Sequence, residues 1–438
     1  MAVSMTIYLL LMAVLCCFSS GTEGRLQFEW RKQSFRRKSS FPLESWNLVF
    51  DALFHSIEDA EFRKSIKNVK DGKSVGPLGE VFSYCDLSIL QCLNYNPIAL
   101  TLHGMENGTV HFDYLPKTLC FLTVESSTLN QELYIKNLSD NMIQLSFINV
   151  TFLSGNATVV LNQTLQRFTC RNCGLHSISF TGESELKMLD LSENKLDTLL
   201  FSIPSNITSF IMQNCLYNVS LVKLMRALPP NVVSLDISHS QFSEFMKGIA
   251  MIPQSLRSLD VSGFPINTDA SFFLNALKSA NRGIERLIAK NCGLMGTIDK
   301  IGDWKLLRTL DLAQNRISNV VWGNLPLMLK YLDLSANAIE GKLPVGLLSR
   351  SLNTFTVSHN AISGPLNIDE LPPQLTLLDV RNNNFSGTID FTRLPESILY
   401  VYVQHNKFQG TPDLAEIPAG IEKILIHDNN WDSLFPSY

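Results

Sequence analysis

One eleven-residue pattern, L-x-x-L-x-L-x-x-N-x-L, returns down most of the 438-residue chain and limits its fold more than any local motif does. LKMLDLSENKL at 186–196, LRTLDLAQNRI at 307–317 and LKYLDLSANAI at 329–339 carry it almost unaltered. LNTFTVSHNAI, LTLLDVRNNNF, ILYVYVQHNKF and IEKILIHDNNW continue it from Leu352, Leu375, Ile398 and Ile421. Weaker copies begin at Leu119, Met142, Leu165, Ile207, Val232, Leu256 and Ile284. The starts of these fourteen copies lie 21 to 28 residues apart, most often 23. Apolar positions 4 and 6 alternate with polar 3, 5 and 7, the period of a short strand with one buried face. A single copy cannot cover its own apolar face, so the copies must stack into one continuous core behind a curved parallel sheet.

Position 9 is expected to bond backbone groups left open where the chain turns. Asn194, Asn315, Asn337, Asn360, Asn383, Asn406 and Asn429 fill it, and Cys173, Cys215 and Cys292 take the same slot. Cys170 and Cys173 form a C-x-x-C that in isolation suggests redox or zinc chemistry. The repeat assigns Cys173 to the position-9 slot and Cys170 to buried position 6 instead. Cys120, at position 2, has no such assignment and is a candidate reactive thiol. Eight copies carry Pro three residues before position 1, at 116, 204, 229, 253, 326, 372, 395 and 418, so extended or single-turn return segments are expected there. NVSLVKLMRALPP and NTDASFFLNALKSANRG have helical apolar spacing and lengthen their repeats.

The pattern resembles that of leucine-rich repeat proteins over residues 97–438. The resemblance implies an α/β solenoid: a horseshoe with a curved parallel sheet on its concave face and a mostly irregular, partly helical convex side. A further signature follows position 11, in LMGTI at 294–298, IEGKL at 339–343, ISGPL at 362–366 and FSGTI at 385–389. It resembles the extracellular repeats of plant receptor-like proteins and the surface or secreted repeat proteins of trypanosomatid protozoa. Residues 44–96 read as an N-terminal cap, in which Trp46, Val49, Phe50, Leu53, Phe54 and Ile57 form an apolar stripe at helical spacing. The resemblance implies a disulfide between Cys85 and Cys92 in CDLSILQC, two free thiols being the alternative. IALTLHGMENGTV looks like a degenerate first repeat starting near Pro97.

Ahead of the cap, an apolar run from about Met5 to Phe18 and the small residues after it fit a secretory signal peptide over 1–24. A basic segment at 25–43, expected to be flexible, follows; the absence of Lys or Arg before the apolar run leaves an uncleaved anchor as the alternative. Eight Asn-X-Ser/Thr sequons, at Asn107, Asn137, Asn149, Asn156, Asn162, Asn206, Asn218 and Asn384, favour the secretory pathway. The expectation is a secreted, lumenal or cell-surface glycoprotein without its own anchor or integral span after signal removal, any membrane association being through a partner. Charged residues make up 17% and the net charge is −4, so no polyanion-binding footprint is present and nucleic acid is not an expected partner.

No nucleophile elbow, phosphate loop or zinc spacing survives the repeat explanation, so no catalytic residue, metal or cofactor is expected. GKS at 72–74 lacks the upstream Gly of a phosphate loop. Asp190, Asp236, Asp260, Asp311, Asp333 and Asp379 share position 5 and read as solvated sheet residues. His239, His359 and His405 share position 8; adjacent strands would bring His405 near His427 and Asp428, as a metal or pH-responsive patch or as simple repeat variants. The working surface is expected on the concave sheet, toward its C-terminal end, where Tyr331, Asp333, Leu377, Asp379, Arg381, Tyr400, Tyr402, Gln404, His405, Leu425 and His427 mix aromatic, aliphatic and charged groups. A C-terminal cap would account for the same apolar residues. The expected function is binding of a protein or glycan ligand; a stoichiometric inhibitor of a secreted enzyme and a structural coat protein are the alternatives, and an enzyme is not expected.

Overall fold

The structure is a computed structural model that describes residues 57–58, 90–93, 96–196, 203–414 and 416–432. An unbroken series of parallel strands runs from Asn96–His103 through Met188–Asp190 to Lys423–Leu425. Its register follows the repeat residue by residue. Position 3 pairs with position 3 along the central and C-terminal part, as Met188 with Ser209, Arg286 with Thr309, Tyr331 with Thr354 and Tyr400 with Lys423. At the other end Ala99 pairs with Phe121, which makes the segment from Pro97 a full member of the stack.

The core sits behind this sheet. In the copy from Leu186, positions 1, 4, 6 and 11, which are Leu186, Leu189, Leu191 and Leu196, are all at most 1% exposed. Burying one such side chain is worth about 1.5–3 kcal/mol. At position 8 every copy turns through a left-handed residue: Gly104, Ser126, Asn149, Asn172, Glu193, Asn214, His239, Gly263, Asn291, Gln314, Ala336, His359, Asn382, His405 and Asp428 all have φ between 48° and 73°. Asn, Asp, His and Gly tolerate that conformation best, which explains the position-8 histidines as turn formers. Ala336, at φ 52°, lacks any side chain that eases it. Ala336→Gly is therefore expected to stabilise the protein by about 0.5–1 kcal/mol, the reverse of the usual sign, as read by urea denaturation.

The position-9 ladder forms as expected. Asn383 Nδ2 donates to the carbonyl of Val357 at position 6 of the preceding repeat (2.9 Å), while its Oδ1 accepts from Ile362 N (3.0 Å). Asn194, Asn315, Asn337, Asn360, Asn406 and Asn429 repeat the position-6 contact. Cys173, Cys215 and Cys292 direct Sγ to the equivalent carbonyls of Phe147, Leu191 and Val261 at 3.5, 3.7 and 3.3 Å. Ser240 also fills the slot, donating to Met212 O at 2.8 Å.

In the return segments, the carbonyl of each of the eight prolines accepts from the N–H at position 1 of the next repeat, at 2.9–3.4 Å. Single 3-10 turns precede several of them, as at Trp322–Asn324, Ile368–Glu370 and Phe391–Arg393. Both expected helices are present, Leu221–Ala227 and Ala270–Ala280, the second capped by Asp269 accepting from Phe272 N at 2.9 Å. A third, Phe245–Ile249, packs against the first. The signature after position 11 builds a second parallel ladder, Glu340–Lys342, Ala361–Gly364, Asn384–Gly387, Lys407–Gly410 and Asn430–Trp431. Its glycines at 296, 341, 364, 387 and 410 hold φ of 78–90°, a conformation that needs glycine.

The cap reading needs one correction. Ile57, expected as the last member of a helical stripe, lies in the short strand Ile57–Glu58, which pairs antiparallel with Glu106–Val110. The rest of that stripe, Cys85, the apolar run at 5–18 and the basic segment lie outside the described residues. Leu90–Leu93, which contains Cys92, pairs antiparallel with the first strand of the series. Among the described residues no helix is long and apolar enough to cross a membrane.

Candidate binding surface

Each repeat sends positions 3, 5 and 7 onto the outer face of the long sheet, and through most of the chain these are small, hydroxylic or acidic. Four of the six carboxylates in the acidic column are buried, contrary to expectation, while Asp236 and Asp260 are half-buried. Asp190, Asp311, Asp333 and Asp379 are 3–8% exposed. Their burial has a local cause: Oδ1 turns back to accept from the N–H at position 7, as Asp190 does from Ser192 (3.0 Å), Asp333 from Ser335 (2.8 Å) and Asp379 from Arg381 (3.2 Å). The carboxylates thereby shape the turn, in the manner of Asx-turns. Burial pushes Asp260, Asp311 and Asp379 above the usual carboxylate range.

The eleven residues expected to form the binding face divide into separate groups. Tyr331 and Asp333 belong to a network in mid-sheet. Lys290 Nζ lies 2.9 Å from Asp311 Oδ2, and the Tyr331 hydroxyl reaches Asp311 at 3.5 Å and Asp333 at 3.4 Å. Burial, reinforced by both carboxylates, raises the Tyr331 phenol. Burial works to lower the Lys290 ammonium, but the Asp311 hydrogen bond and surrounding carboxylates outweigh it and the net shift is upward. These groups satisfy one another. The strand Thr354–Thr356 separates them from Leu377.

The second group is contiguous. Register places Leu377, Tyr400 and Lys423 side by side, with Asp379, Tyr402 and Leu425 in the neighbouring row. Tyr402 carries two cations: Arg381 Cζ lies 5.6 Å and Lys423 Nζ 5.8 Å from its ring centroid. Arg381 Nε also lies 3.3 Å from Asp379 Oδ2. The Tyr400 hydroxyl donates to Glu422, which raises the phenol above its ordinary value. Leu377, Tyr400, Tyr402, Leu425 and Arg381 are half-buried, whereas Asp379 and Gln404 are buried and so support the surface from beneath. Lys423 and Glu422 belong to this surface and were missed in the sequence; their positions 3 and 2 beside Tyr400 were the available signal.

At the rim of the same end, His405, His427 and Asp428 meet. Asp428 Oδ2 lies 2.6 Å from His427 Nδ1 and 3.2 Å from His405 Nδ1, with the two rings 5.2 Å apart and nearly perpendicular. Gln404, which neighbours His427 in the position-7 column, is 5% exposed, and its Oε1 has no hydrogen-bond partner among the described residues.

The thiols are quiet. Cys120, Cys170, Cys173, Cys215 and Cys292 are free, and burial raises Cys215 to about 11 and Cys292 to about 12. Burial also raises Cys120, which lowers its thiolate fraction. Of the sequons, Asn107, Asn137, Asn149, Asn156 and Asn206 are exposed and Asn162 and Asn384 are half-buried; the Asn218 side chain lies outside the described residues. Asn162 and Asn206 spend their Nδ2 on the carbonyls of Ser139 and Ser184, each at 2.8 Å.

The in-register strands, left-handed position 8 and position-9 ladder together define a leucine-rich repeat solenoid. No protein-family model matches the chain, and no curated protein sequence is similar to it. Among solved structures it is similar to the Arabidopsis receptor kinase HAESA, in its complex with the peptide hormone IDA and the co-receptor SERK1: 17% identity over 89% of this chain and 70% of that one, TM-score 0.46. An internalin from Listeria monocytogenes gives 15% identity over 89% and 98%, TM-score 0.46. YopM, a leucine-rich effector protein from Yersinia pestis, gives 18% over 73% and 79%, TM-score 0.40.

Proposed function

We propose that the chain is a secreted or lumenal recognition module that holds a protein partner against the C-terminal part of the concave sheet. The observation that carries this reading is the half-exposed aromatic and aliphatic patch of Leu377, Tyr400, Tyr402 and Leu425, flanked by Arg381 and Lys423. Elsewhere the same face is lined mostly by small, hydroxylic and acidic side chains, with Asp190, Asp236, Asp260, Asp311 and Asp333 bonded to their own turns. Aromatic groups beside Arg are the composition of binding hot spots. Three strands at about 4.8 Å spacing span only about 10 Å between the outer two, so the patch suits a loop or extended segment of the partner.

The role proposed is binding rather than catalysis: the position-5 aspartates are engaged in their own turns, and Lys290 and Tyr331 are engaged with Asp311. The sequons support passage through the secretory pathway; seven of the eight lie between residues 107 and 218, and Asn384 alone falls in the repeats that carry the patch. Substituting both Tyr400 and Tyr402 with Ala is expected to lower partner capture by about tenfold or more, two half-buried hot-spot side chains at roughly 1–2 kcal/mol each, with denaturation unchanged. Crosslinking capture from the medium of producing cells, comparing wild-type and variant protein, reads this directly. Equal capture by the two would remove the patch from the interface.

A further inference from the structure

We infer that His405, His427 and Asp428 form a binding site for a borderline divalent transition cation of the Zn²⁺ class. Both imidazole Nδ1 atoms converge on one carboxylate oxygen, at 3.2 and 2.6 Å, and the three donor groups can place ligand atoms within 4.8 Å of one another. Tetrahedral zinc, with bonds of about 2.0–2.1 Å, sets its ligand atoms about 3.3 Å apart. Two of the three separations are already at or below that value. The third closes by side-chain rotation, which is open to these residues because all three are exposed.

The backbone beneath is fixed. His405 and Asp428 occupy the left-handed turn position, at φ 56° and 53°; His405 N donates to His427 O at 3.2 Å and Asn406 N to Asp428 O at 3.1 Å. Position-9 residues Asn406 and Asn429 lock both turns to the core. The donors therefore converge because of the solenoid's register and do not depend on a mobile loop. Without the cation, His427 Nδ1 is hydrogen-bonded to the Asp428 carboxylate and His405 Nδ1 lies 3.2 Å from the same oxygen; to ligate, each neutral imidazole carries its one proton on Nε2 and presents a bare Nδ1, so that two nitrogens and the carboxylate take the cation.

Two nitrogens and one oxygen select Zn²⁺, Co²⁺, Ni²⁺ or Cu²⁺ over Mg²⁺ and Ca²⁺, which require oxygen donors throughout. Three protein ligands leave a fourth position for water or for a donor from another molecule. Gln404 Oε1, buried without a hydrogen-bond partner among the described residues and next to His427 in its column, is a further acceptor at this rim. The site stands whether or not the neighbouring patch docks a partner, and its test requires none.

Cobalt(II) titration of the full-length, chelator-treated protein reports the site through visible absorption. The expected result is one equivalent bound, with four-coordinate visible bands, no thiolate charge-transfer bands in the near ultraviolet, and displacement by Zn²⁺. H405N, H427N and D428N should each weaken binding by about tenfold or more while leaving the fold intact, since Asn suits the left-handed turn at 405 and 428 and the His427 side chain is exposed. H103A, at an exposed histidine remote from the site, should bind as wild type does. Absence of visible bands in the wild type, bands that persist in H427N, or thiolate bands in their place would each overturn the assignment.

Discussion

Replacing Asn383 with Ala is expected to lower the unfolding free energy by about 3–5 kcal/mol. The estimate counts one buried backbone group left without a partner, at about 1–3 kcal/mol, and three further hydrogen bonds lost at about 0.5–1.5 kcal/mol each. Ile362 N loses its acceptor inside the stack, while Val357 O, Val380 O and Arg381 O each lose the amide (2.9, 3.1 and 3.2 Å) and keep a second donor, Asn360 Nδ2, Asn406 Nδ2 and His359 N respectively, each at 3.0 Å. At 8% exposure, water has little access to replace them. Asn383→Cys separates the two halves of the amide's role. Cysteine keeps the donor, as Cys292 does toward Val261 O at 3.3 Å, and gives up the acceptor that Ile362 N requires. Its cost should fall between wild type and Ala, about 1–3 kcal/mol. Urea denaturation of the three proteins gives the ranking, and equal stability of Ala and Cys would show that donation to position 6 contributes nothing.

Phe408→Ala is expected to act more locally and as strongly. Phe408 is fully buried at position 11, stacked between Phe385 and Trp431 with centroids 6.1 Å apart on either side and planes within 10° of parallel. Trp431 is held in that stack by Nε1 donating to Ile426 O at 2.7 Å. Truncation of a core Phe costs about 3–5 kcal/mol, and loss of stacking adds about 0.5–1.5 kcal/mol per pair. Each repeat contacts only its neighbours, so the loss should appear first in the last two repeats and spread little further. Hydrogen exchange is the readout: amides of Tyr400–Tyr402 and Lys423–Leu425 should lose protection, while Met188–Asp190 keeps it. Uniform loss along the chain would mean that the solenoid unfolds as one unit.

The repeat made the stacking, the register and the position-9 ladder readable before any coordinates, because each follows from a period that the sequence displays repeatedly. Even Pro97 as a first start is matched by the pairing of Ala99 with Phe121. Position 8 is equally repetitive, yet its histidines read only as a metal or pH-responsive patch or as simple repeat variants; the cause shared by every copy is backbone conformation, which residue polarity does not reveal. Four of the six aspartates at position 5 depart from the solvated reading for a related reason. Alternation places them on the outer face, but a carboxylate one turn from an open N–H bonds to it and is covered by its neighbours. Tyr331 was grouped with Tyr400 because both occupy position 3. Only the strand order, with Thr354 and Leu377 between them, separates the acid-bound Tyr331 from the patch that Tyr402 shares with Arg381 and Lys423.

The central claim, that this solenoid binds through the C-terminal end of its concave sheet, is tested most directly by placing a photo-crosslinking side chain at 402 and, separately, at exposed position 347 on a return segment. Irradiation of secreted protein with the medium of producing cells should give a discrete crosslinked adduct from 402 and none from 347. An adduct from 347 with none from 402 would contradict it.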